Sequence, residues 1–160
     1  MKAHWITALA ATLAFAGSGS AALAEQAASP MQLVGDVKVD KQVIENGQTK
    51  HVLVAPDVVV PGDRLIFSTR YRNTGAEPVK DFVVTNPLPA GVMLADSGAA
   101  VQTVSVDGGK SWGKLPTLTV ADSQGAKRPA QPGDVTHVRW TLPLIAPGAS
   151  GTLTYNAIVR

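Results

Sequence analysis

The chain has 160 residues, 45% of them hydrophobic and 16% charged, with no cysteine and with 14 lysines and arginines against 12 aspartates and glutamates. The lack of cysteine excludes disulfides, a thiol nucleophile, thiolate-bound zinc and a lipid-carrying cysteine, so packing alone must hold the fold. The near-balance of interspersed charges argues against a nucleic-acid partner, which needs lysines and arginines gathered into a patch.

The first predicted element is a secretion signal. Lys2 supplies the positive start, Trp5 to Ala16 an apolar run, and Ala22-Leu23-Ala24 a small-residue cleavage pattern that places the mature start at Glu25. The apolar run is about a dozen residues, short of the roughly 20 that a spanning helix needs, so it reads as a signal core and no membrane span is expected. These features predict an exported protein, soluble once residues 1–24 are removed, in the periplasm or outside the cell. Losing Lys2 from the 14 basic residues leaves 13 against 12 acidic ones. A cysteine-free exported domain of this size suits a bacterial envelope. The 136 residues left of the 160 suit one domain, read as a flexible leader over 25–32 and a folded unit over 33–160.

Beyond the leader, alternation replaces any helical spacing. Val37, Val39 and Val43 alternate with Lys38, Asp40 and Gln42. Leu65, Phe67, Thr69 and Tyr71 alternate with Arg64, Ser68, Arg70 and Arg72. Near the end, Val138, Trp140 and Leu142 oppose His137, Arg139 and Thr141, and Leu153, Tyr155, Ala157 and Val159 oppose Thr152, Thr154 and Asn156. Each reads as a half-buried strand. Between them, Asn46-Gly47, Asn73-Thr74-Gly75, Ala90-Gly91, Asp107-Gly108-Gly109 and Pro-Gly pairs at 61, 132 and 147 carry turn chemistry. In Asn73-Thr74-Gly75 the glycine is expected in the left-handed region. The segment 121–134 has no periodicity and reads as the longest loop. About seven or eight short strands in this arrangement predict an all-β, antiparallel β-sandwich.

The order of these features carries a resemblance. Val60-Pro61-Gly62-Asp63-Arg64-Leu65, Tyr71-Arg72-Asn73-Thr74-Gly75, Val83 to Val92 with Asn86-Pro87-Leu88-Pro89-Ala90-Gly91, Trp140-Thr141-Leu142 and Ala146 to Leu153 resemble a bacterial surface-protein repeat family, domain of unknown function eleven. The likeness spans about residues 36–160 in a single copy. It implies an immunoglobulin-like sandwich in an exported protein, and it brings no activity, cofactor or site residues with it.

The sharpest motif is Ser105-Val106-Asp107-Gly108-Gly109-Lys110-Ser111-Trp112, which fits the Asp box, Ser-x-Asp-x-Gly-x-Ser/Thr-Trp. Sialidase propellers carry several such boxes, but a propeller needs several four-stranded blades and this chain is too short for one. Ser105, Asp107, Gly109 and Trp112 are therefore expected to build a tight hairpin, with Asp and hydroxyl side chains bonding the turn and the Trp packed beneath it. His51 and His137 sit on separate strands without ligand-spaced partners, so neither a metal nor another cofactor is expected. Ser150 in Gly148-Ala149-Ser150-Gly151 misses the nucleophile-elbow pattern by one residue. Asp57, Asp63, Asp81, Asp96, Asp107 and Asp134 fall at strand ends, where Asp is a turn residue. No catalytic residues are assigned.

Two binding features remain. Arg64, Arg70 and Arg72 share the outward phase of one strand, with Arg139 on a facing surface. They make either a solvated, pairing-resistant face or an anion-binding stripe. Trp112 is the one aromatic placed to stack on a sugar, whereas at least four of the other five in the mature chain fall on inward phases. Together these point to a non-catalytic module of the cell envelope, structural or protein-binding, whose partner is an envelope protein or a second copy, engaged through loops or a sheet edge. The alternative is a carbohydrate-binding module using Trp112 and the 121–134 loop.

Overall fold

The computed structural model describes residues 29–95 and 102–160. The cleavage residues Ala22, Ala24 and Glu25, with Asp96, lie outside the described residues. Among the described residues, eleven strands form two packed antiparallel sheets and a short ribbon. The first sheet runs β2 (Gln48–Val54), β1 (Met31–Glu45), β3 (Arg64–Asn73), β11 (Ser150–Val159), β5 (Val92–Leu94). The second runs β4 (Val79–Pro87), β10 (His137–Ile145), β6 (Thr103–Ser105), β7 (Gly113–Lys114). The chain is thus an antiparallel β-sandwich, as the alternation predicts. Strand β1 begins at Met31, inside the segment expected to be leader. Met31 and Gln32 pair with Asn73 and Arg72, and Met31 is buried.

The inward residues of both sheets meet as the alternation requires. Val39, Leu65, Tyr155 and Ala157 of the first sheet, with Val92 and Leu94 of β5, pack on Val104 and Val138 of the second. Leu115 and Val135 complete the cluster from a 3-10 turn and a loop. Each such buried aliphatic side chain is worth about 1.5–3 kcal/mol. Phe67 stacks on Tyr155 with ring centroids 4.8 Å apart, and Trp140 tilts against Tyr155 at 6.1 Å. Burial pushes the Tyr155 phenol up to about 12.

Two crossovers between the sheets, β3 to β4 and β10 to β11, run side by side at one end, and Asn73 ties them. Its side-chain amide donates to the carbonyls of Glu77 (2.8 Å) and Ile145 (3.1 Å), and its side-chain oxygen accepts from Gly75 N–H. Its backbone exchanges bonds with Ala149 and Gly148. Asn73 is fully buried, so its own amide and backbone groups would otherwise lack partners. Gly75 is not left-handed, contrary to expectation. It is needed for space, because a Cβ there would lie 2.7 Å from that of Pro30.

Two further departures have local causes. The segment 121–134 is not one loop. It holds β9 (Lys127–Pro129), which pairs with β8 (Thr119–Ala121), and a 3-10 turn at Pro132–Asp134. Three-residue strands, one of them ending in proline, leave no alternation to read. Side chains hold the unit instead: Asp122 Oδ1 accepts from the N–H groups of Gln124 and Ala126, and Arg128 makes a two-pronged contact with Asp134, both bonds 2.7 Å. Asp81 is inside β4, not at a strand end. It has φ +49° and falls opposite Pro143, the one position where the β4–β10 register has no pair. There the inward phase slips, so that Leu142 and then Ile145 turn inward.

Candidate functional site

The hairpin joining β6 to β7 is closed by side chains more than by backbone. Asp107 Oδ1 accepts from the N–H groups of Lys110 (3.0 Å) and Ser111 (2.9 Å), and Oδ2 accepts from the Ser111 hydroxyl at 2.6 Å. The buried Ser105 hydroxyl donates to Asp107 and accepts from Gly109 N–H at 2.9 Å. The Ser111 hydroxyl above all, then the Ser111 N–H and the Ser105 hydroxyl, hold the Asp107 carboxyl well below its ordinary 3.8. These bonds all favour the ionised carboxylate and commit it to closing the turn.

Trp112 Nε1 donates to the Gly109 carbonyl at 2.9 Å, which pins the half-buried indole under the turn. Arg139 then lies over the ring, its guanidinium carbon 3.5 Å from the centroid, and His137 meets it edge-on at 6.2 Å. One face of the only candidate sugar platform is therefore covered by a cation. The sequence separates Trp112 from Arg139 by 27 positions, and only the β6–β10 pairing brings them together.

The three arginines do not make one stripe, and Arg139 is not near them. Arg139 belongs to the second sheet, whereas Arg64, Arg70 and Arg72 lie on the outer face of the first. Arg64 and Arg70 are six residues apart, about 20 Å along the strand. Arg64 lines a depression with Asp40 and Asp63. Arg70 and Arg72 instead line one with Gln32, Val34, Ser150 and Thr152. His51 is bonded to Asp40 at 2.8 Å and His137 to the Thr136 hydroxyl at 3.0 Å. Among the described residues no group of three or more histidines or carboxylates is arranged for a metal, and no helix is long and apolar enough to cross a membrane.

A larger surface feature escapes sequence reading. Strand β1 outruns β3: β3 pairs with Met31 to Asp40, while Lys41 to Glu45 pair with β2 alone. Residues 41–51 are all exposed. The result is a two-stranded arm, closed by Asn46-Gly47 with φ +54° and +77°, that leaves the sandwich. Ile44 on it is 81% exposed and Leu53 57%, and Val58, in the segment that returns to β3, 73%. Alternation through Val43 identifies β1 as a strand but cannot tell that no second sheet covers its end. The isoleucine at 44, directly after Val43, is the one local sign of a face without a core. No protein-family model, curated protein or solved structure matches the chain.

Proposed function

We propose that the protein is a non-catalytic interaction module of the cell envelope, and that the β1–β2 arm is the element through which it docks. The exposed apolar arm carries this reading. A two-stranded hairpin alone is marginal in water, and here it has no covering layer among the described residues. Natural edge strands are blunted by outward charges, proline or brevity. Strand β4 has Lys80, the left-handed Asp81 and Pro87, and β5 and β7 have three and two residues. On the seven-residue β2, the charged residues are drawn back onto the arm instead, Lys50 to Glu45 at 2.6 Å and His51 to Asp40. Its outer edge is free to receive a strand of another chain. The signal-like amino terminus and the turns that resemble the surface-protein repeat agree with an envelope location. The cation on the Trp112 ring gives the sugar-binding alternative no specific support.

The two-residue turn makes Glu45–Gln48 the bonded closing pair, so the N–H groups of Thr49, His51 and Leu53 point away from β1. Thr49→Pro then removes a docking donor without touching the β1–β2 ladder. Complexes of the full chain isolated from envelopes are expected to fall to monomer mass in this variant, by light scattering, with the melting temperature unchanged. Complexes of undiminished mass would refute docking through β2.

A further inference from the structure

We propose that Arg70 and Arg72 form a binding site for a phosphoryl group on the outer face of the first sheet, separate from the arm. The two side chains project from the same face of β3, about 7 Å apart, and flank a shallow depression of about 330 Å³. Among the described residues neither has an ion-pair or hydrogen-bond partner. Their cross-strand neighbours are Val34 and Gln32 on β1 and Thr152 and Ser150 on β11, none of them acidic. The nearest carboxylate on that face, Asp36, lies opposite Ser68 and is engaged by Lys38 at 3.9 Å. Two like charges held side by side with no counter-charge favour an anion between them.

The donor set selects the anion. Two guanidinium forks, the Ser150 and Thr152 hydroxyls and the Gln32 amide supply more donors than the two oxygens of a carboxylate can accept. A phosphate monoester offers three oxygens and a charge near −2 at neutral pH, matching two arginines. Arg64 serves as an internal contrast: it lies on the same strand and face, but its depression contains Asp40 and Asp63, which repel an anion.

The test is a titration of the full chain with inorganic phosphate at low ionic strength, following the arginine Nε–H resonances, in the parent and in Arg64→Gln, Arg70→Gln and Arg72→Gln. Saturable shifts at Arg70 and Arg72 are expected, with Kd raised at least tenfold by either of their substitutions and less than twofold by Arg64→Gln. Equal losses in all three, no saturation, or acetate binding as tightly as phosphate would overturn the proposal. Sedimentation with phosphatidylglycerol and phosphatidylcholine vesicles separates the sources of the group. Co-sedimentation with the anionic vesicles alone, lost in Arg70→Gln, supports a lipid headgroup, whereas phosphate binding without vesicle binding supports a soluble phosphate ester. Failure here leaves docking through the arm untouched, because no arm residue lines the depression.

Discussion

Asn73 and Asp107 do by side chain what backbone ladders cannot do where strands leave their sheets. Replacing Asn73 with Ala strands the carbonyl of Ile145 without its donor, and a buried polar group left unsatisfied costs about 1–3 kcal/mol. Denaturant unfolding should show a loss of that size with an unchanged slope, since both crossovers still exist. Asp107 adds a pH dependence with a defined sign. Its folded carboxyl titrates below its unfolded value near 3.9, so its contribution is whole above about pH 4 and fades as pH falls below that. Thermal melts should therefore find Asp107→Asn less stable than the parent at pH 7, with the gap narrowing at pH 3. At this scale the sequence was partly legible. Asn73-Thr74-Gly75 marks a turn, but the contact with Ile145 joins residues 72 positions apart and leaves no local trace.

Among the elements, those with a core on one face announce themselves. Leu65, Phe67 and Thr69 in β3, Val138 and Trp140 in β10, and Tyr155 and Ala157 in β11 alternate because one side of each strand meets the other sheet. Where burial stops, so does the signal. The β8–β9 ribbon buries little, and the Arg128–Asp134 pair that anchors it joins a strand to a 3-10 turn, so the period of no single element reports it. Pro143 opposite Asp81 shifts phase within two continuous strands, which a period-2 template reads as an error. The ribbon gives a direct check. Asp134→Ala removes the Arg128 contact and the acceptor for Gln131 N–H (2.8 Å), so amide exchange should quicken across residues 122–131 and stay slow in β10. Uniform protection in both would mean that the ribbon is held by its backbone alone.

Across the whole molecule, the sandwich is complete on its inner faces and open at two places outside. The β1–β2 arm offers apolar side chains and a free edge, and the Arg70–Arg72 pair offers unmatched positive charge. The Asp107 carboxylate, by contrast, is engaged by its own turn. The arm was legible as one strand, through Val43, and an Asn-Gly turn. Its exposure was not, because exposure depends on where β3 ends, at Arg64 opposite Asp40, and the alternation of β1 runs on regardless. The most direct measurement is photo-crosslinking of the intact chain in envelopes, with the crosslinker at Leu53 on the arm or at Thr141 on the outer face of the second sheet. Docking through the arm predicts a discrete adduct from Leu53, at twice the chain mass if the partner is a second copy, and none from Thr141. Equal adducts from both positions, or none from Leu53, would contradict it.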